Sequence, residues 1–162
     1  MDLLTIREGK EVWFHQMVRP FRLDPPFLGR RYVAIVFSND KDATEAERQL
    51  VSCALFESGC RYGVFAGHAC TFWETALDAA CIESAPDYKP SDEAFTMTTS
   101  HEGESVEDVM FFGLMNTALI SYEFDRFLVL FIGHRVGMRE EVEAAIQSVW
   151  CEDPMRTLHG EI

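Results

Sequence analysis

Four side chains with proton-transfer or metal-binding chemistry stand directly after apolar, strand-like runs: His68, Cys70, His101 and His134. A thiol beside an imidazole base makes a nucleophile for acyl transfer, and imidazole with thiol is a donor set that suits zinc. Cys70 precedes Thr71, the expected start of a helix, where the positive end of the helix dipole would lower the thiol pKa. His101 or His68 would then act as its base, and Cys70 with His101 is the pair expected to carry any catalysis. The competing account of the same letters is a small buried cysteine packed beside Trp73. A zinc site built from His68, Cys70, His101 and His134, with Glu102 or Glu104 added, would draw its ligands from three separate loops. No H-E-x-x-H or paired-cysteine spacing supports it, so no metal is expected.

The elements that must position these residues alternate along the chain. "RYVAIVF" (31–37), "YGVFAG" (62–67), "AFTMTT" (94–99) and "RFLVLFIG" (126–133) read as strands. "TEAERQLVSCALFESG" (44–59), "TFWETALDAACIES" (71–84), "SVEDVMFFGLMNTALIS" (105–121) and "MREEVEAAIQSVW" (138–150) read as helices. Four strand–helix alternations predict an α/β fold, a three-layer sandwich around a mainly parallel sheet of at least four strands. Ligands in such sheets bind outside the carboxyl ends of the strands, which is where the loops carrying His68, Cys70, His101 and His134 fall.

Residues 1–29 form an N-terminal extension or hairpin, with two β-prone arms around "REGK" and then a connector containing three prolines. Residues 30–152 make one α/β domain, and 153–162 a C-terminal tail. Several acids have a structural role open to them. Thr44 with Glu47, Thr71 with Glu74 and Ser105 with Asp108 have the spacing of helix capping boxes, in which each side chain satisfies a backbone N–H left unpaired by the helix end.

Composition narrows the function classes. The 162 residues carry a net charge of −13, with +2 on residues 1–31 and −15 on the remainder. Such a field opposes nucleic acid and anionic membranes and favours a basic partner. Neither G-x-G-x-x-G nor a P-loop motif occurs, so no nucleotide and no other cofactor is implied. Five cysteines (Cys53, Cys60, Cys70, Cys81, Cys151) without a C-x-x-C pair fit neither a disulfide framework nor a zinc ribbon. The longest apolar run falls short of the ~20 residues of a membrane span, and the first residues lack the pattern of a signal peptide. The expectation is a soluble, cytoplasmic protein.

"SGCRYGVFAGHACTFWETALD" and "FTMTTSHEGESVEDV" resemble a small, uncharacterised bacterial family of unknown function. The matching positions are Ser58, Gly59, Cys60 and Tyr62, then Cys70, Trp73 and Asp78, then Phe95, Met97, Thr98, Thr99, His101, Glu104, Glu107 and Val109. The resemblance spans about residues 55–133. This chain departs from the pattern at Ala69 (Asp in the family), Ser100 (an aromatic) and Ser105 (Pro), and the missing acid at 69 weakens a metal or acid–base role for that loop. The resemblance implies a shared α/β domain with no assigned activity, and it singles out Cys70, Trp73, Asp78, Thr99 and His101. Two functions stand side by side. One is a binding module, of immunity or regulatory type, for a basic protein, with His68, Trp73, Asp78, Thr99, Glu102, Glu104 and His134 as binding residues. The alternative is a small hydrolase or metal-dependent enzyme using Cys70 and His101.

Overall fold

A computed structural model describes residues 1–151, so the tail expected at 153–162 lies outside the described residues. The chain order is β1 (Asp2–Arg7), β2 (Lys10–Met17), β3 (Tyr32–Ser38), α1 (Glu45–Glu57), β4 (Cys60–Gly67), α2 (Cys70–Glu83), a short 3-10 turn (Pro86–Tyr88), β5 (Met97–His101), α3 (Val106–Met115), β6 (Arg126–Ile132) and α4 (Met138–Cys151). The six strands form one sheet in the order β1-β2-β6-β3-β4-β5. The pairs β2/β6, β6/β3, β3/β4 and β4/β5 are parallel, and only β1 runs antiparallel, as the first arm of an N-terminal hairpin. The α/β class, the mainly parallel sheet and the hairpin are all as expected. The second arm of that hairpin lies inside the sheet, beside β6.

Side-chain parity builds the three layers. A strand sends alternate residues to opposite faces, and β3 (YVAIVFS) is buried at every position because both of its faces are covered. Val33, Ile35 and Phe37 join Val64, Val129, Met110, Leu114 and Val142 in one core, under α3 and α4. Tyr32, Ala34 and Val36 join Phe65, Leu128, Leu130, Leu55, Trp73 and Leu77 in the other, under α1 and α2. Among the described residues α1 and α2 lie over β4 and β5 on that second face, which leaves β2 without a helix of its own. The proline-containing connector between β2 and β3 takes the place of one, seating Phe21 and Phe27 in the core. Phe27 packs its ring edge on Trp13 at 6.4 Å and lies 4.7 Å from Tyr32. Arg19 ties the connector to the start of α1, bonding Glu47 at 2.7 and 3.1 Å and also Asp40.

Two helix boundaries differ from the spacing-based expectation. The capping box at Thr44 and Glu47 is present, and Ser105 caps α3 through the Asp108 N–H. Thr71, however, is not a cap. α2 begins one residue earlier, after Ala69 in the left-handed region (φ 56°) and with no side-chain cap bond. β4 runs to Gly67 and the helix starts at Cys70, so the two-residue connection turns by left-handed backbone instead of a hydroxyl cap. α3 also stops at Met115, not near 121. The N–H of Asn116 still bonds Phe112 O, but beyond it the chain turns into a small bridge between Leu119 and Tyr122.

Candidate functional site

β5 carries most of the residues singled out by the sequence, and its pleat divides them between two faces. Thr98 faces α2: its hydroxyl donates to Asp78 Oδ1 at 2.7 Å and lies 3.5 Å from Glu74 Oε1. Thr99 and His101 face α3 instead. His101 Nδ1 is 2.9 Å from Glu104 Oε2, its Nε2 is 3.1 Å from Thr99 Oγ1, and its ring centroid is 4.5 Å from that of Phe112. A carboxylate can only accept, so Nδ1 carries the proton shared with Glu104, and in the neutral ring Nε2 accepts from the Thr99 hydroxyl. The polarity is that of a hydroxyl–imidazole–carboxylate relay. Both ring nitrogens are used, and the residue is only 8% exposed.

The structure does not bring Cys70 and His101 side chains together. Cys70 is 2% exposed and packs in the core beneath α1 and α2, whereas the imidazole lies on the opposite face of the sheet against α3. Burial pushes the thiol up from its ordinary value, and the charge of Glu102 adds to the rise against partial relief from backbone N–H groups, including those of Thr71 and His101. The helix start thus fails to activate the thiol, because desolvation exceeds the help from the exposed amides. Trp73, 1% exposed, is a core residue on the same side, and its indole N–H meets no hydrogen-bond partner among the described residues.

A second group of the expected residues gathers at the carboxyl ends of β3, β4 and β6. There β3 leads to α1 on one face and β6 leads to α4 on the other, the crossing point at which α/β sheets open a crevice. A cavity of about 280 Å³ occupies it, with Asn39, Lys41, His68, Glu104 and Arg135 among its lining residues. His134 is next to it, its carbonyl accepting from Asn39 Nδ2 at 2.7 Å. Arg135 is committed to Glu141. Among the described residues no group of three or more His, Cys, Asp or Glu is arranged to hold a metal ion.

The free edge of the sheet at β5 has a different character. Glu74 and Asp78 lie one turn apart on α2, Glu102 and Glu104 occupy the loop after β5, and Asp108 opens α3, whereas Glu107 beside it turns to α4 and accepts from Ser148 Oγ at 2.7 Å. None of the five carboxylates at this edge pairs with Lys or Arg among the described residues. Elsewhere Asp2, Glu11, Asp40, Glu47, Asp125, Glu141 and Glu143 all meet an arginine. Burial raises the Asp78 carboxyl above its ordinary value, with the charge of Glu74 adding to it and the Thr98 hydroxyl partly offsetting it. Apolar groups are exposed on the α3 side of this edge. Met97 is 39% exposed beside Tyr62, its partner on β4. Tyr62 meets Phe112 edge-on at 6.4 Å, and Met115, 52% exposed, lies three residues along the same side of α3.

Thr99, His101, Glu102, Glu104 and Asp78 therefore belong to one corner of the molecule, His68 and His134 to the neighbouring crevice, and Cys70 and Trp73 to the core. Sequence reasoning passed over Glu74 as a capping residue and did not name Phe112. The signal for Glu74 was its four-residue spacing from Asp78, which places both carboxylates on one side of a helix. No helix among the described residues is long and apolar enough to cross a membrane. No curated protein and no solved structure matches the chain. Residues 13–149 match the family described as Domain of unknown function (DUF7684), a span from within β2 to near the end of α4 that includes the whole β5 corner. That match runs over most of the chain, and the protein belongs to this family.

Proposed function

We propose that the protein is a binding module whose β5 corner receives a basic protein partner. The carrying observation is the concentration of five carboxylates around β5, on α2, the following loop and α3, none of which meets a Lys or Arg among the described residues. Uncompensated charge steers an oppositely charged partner, and the exposed Met97 and Met115 beside it supply the apolar area that charge alone lacks. The test is affinity capture from the native host at low salt, comparing the natural chain with a Glu74→Gln, Asp78→Asn, Glu102→Gln variant. A basic protein retained by the first, lost from the second and released by salt is the expected result. Equal retention by both chains would remove the reading.

A second reading, hydrolysis with His101 as base, draws on the Thr99–His101–Glu104 relay. It requires turnover of an activated ester above the buffer rate that disappears in both Thr99→Ala and His101→Gln.

A further inference from the structure

We propose that the basic partner docks as an extended segment that adds a strand to the free edge of β5, a mode that rests on the binding reading above. β5 ends the sheet, and its five residues pair with β4 in unbroken register from Met97 to His101. In a parallel ladder every second residue points its N–H and C=O away from its neighbour, so this edge offers a row of backbone groups to an added strand. The opposite edge is blunted: the pairing of β1 with β2 shifts register between Leu3 and Thr5. β5 itself, "MTTSH", has no bulge, proline, lysine or acid. The acids lie beside the strand, on α2 and in the following loop and helix, and so leave the backbone open.

The two faces beside the edge specify the alternation of the segment. A strand laid on β5 sends one set of side chains toward Glu74 and Asp78 of α2 and the other toward Met97, Phe112 and Met115. The first set fits lysine or arginine and the second fits apolar residues, so the segment alternates basic and apolar positions over about five residues, or roughly 17 Å. A second copy of the chain is the poorer occupant, since it would set the same five carboxylates against one another at a net charge of −13 each.

The probe is a ten-residue peptide alternating lysine and valine, titrated at low salt into the full chain. Two controls of equal charge accompany it: the same peptide N-methylated at its five central amides, and a block peptide of five lysines followed by five valines. The alternating peptide is expected to bind about tenfold or more tightly than either control, as the loss of two or three backbone hydrogen bonds requires. It is also expected to protect amides of Met97–His101 from hydrogen exchange. Equal affinity of all three peptides, or protection confined to another element, overturns strand addition and leaves the basic-partner reading standing. Absence of binding by any of them overturns both. A dimer of the free chain that protects β5 assigns the edge to self-association and also overturns the proposal.

Discussion

Thr99→Val separates a structural histidine from a solvent-exposed one, because it deletes the hydroxyl on His101 Nε2 while keeping the branched shape of the side chain. The imidazole is 8% exposed and packed on Phe112, so its Nε2 loses a partner in a place water reaches poorly. A buried polar group left unpaired costs about 1–3 kcal/mol, and Thr99 is itself half-buried, which places the expected loss near the lower end, about 1–2 kcal/mol. Glu104→Gln tests the other nitrogen. Its side chain is 45% exposed and the amide oxygen still accepts from Nδ1, so the loss is the charge assistance of a solvent-screened hydrogen bond, below about 1 kcal/mol. Urea unfolding followed by fluorescence of the buried Trp73 measures both, and for a chain of this length the larger loss lowers Tm by about 2–8 °C. A neutral Thr99→Val together with a costlier Glu104→Gln would refute the assigned polarity, since the ring would then draw its support from the carboxylate and from water.

Three further expectations rest on separate features. Cys60, whose thiol burial pushes up to about 12, and Cys70, raised by the same cause, should be alkylated by iodoacetamide at pH 8 only as fast as the chain opens. Peptide mapping in native buffer against urea checks this, and fast native labelling of Cys70 would restore it as a reactive thiol. Gly113→Ala sets a methyl 2.4 Å from Ile35 Cδ1, so overpacking of about 1–3 kcal/mol should exceed the ~1 kcal/mol gained in helix propensity. Combining it with Ile35→Val should recover part of the loss in a denaturation cycle, and strict additivity would contradict the contact. Asp78 binds its proton more tightly folded than unfolded, so its contribution is present below the unfolded value, about 3.9, and is lost as pH rises through the folded value. Asp78→Asn should flatten that fall and raise stability at neutral pH in urea titrations across pH 3–7, and a steeper fall would reverse the assignment.

The alternation of "RYVAIVF", "YGVFAG", "AFTMTT" and "RFLVLFIG" with four helical segments was enough to predict the α/β sandwich, because buried strands and amphipathic helices are local patterns. The Thr44 and Ser105 caps were legible for the same reason. The start of α2 was not, since Thr71 and Glu74 match a capping box in letters while the tight turn at Ala69 decides where the helix begins. The site was legible only in part. Strand parity alone puts Thr99 and His101 on one face and Thr98 on the other, but which face Cys70 occupies depends on which helix covers which side of the sheet. That is settled by the return of the chain from β5 at one edge through α3 to β6 in the interior, a long-range arrangement that no local spacing encodes.

The five carboxylates at the β5 corner are not all accounted for by helix ends. Asp108 stands in the first turn of α3, where the dipole and the Ser105 hydroxyl stabilise it. Glu74 and Asp78 lie further along α2, beyond the turn in which the dipole acts, and the fold holds Asp78 where burial and its neighbour's charge work against its ionised form. A carboxylate kept at a cost, with a free backbone edge beside it, is the kind of local conflict that binding resolves. A cation from the partner would reverse that penalty and lower the Asp78 pKa, so docking should release protons wherever the free carboxyl is partly protonated. The affinity for the alternating lysine–valine peptide should therefore rise as pH climbs from the ordinary carboxyl value through the raised one of Asp78. Calorimetry in two buffers of different ionisation enthalpy reads the protons directly. Release that vanishes in Asp78→Asn supports contact at this pair, whereas the same release from both chains would move the docked lysines away from it.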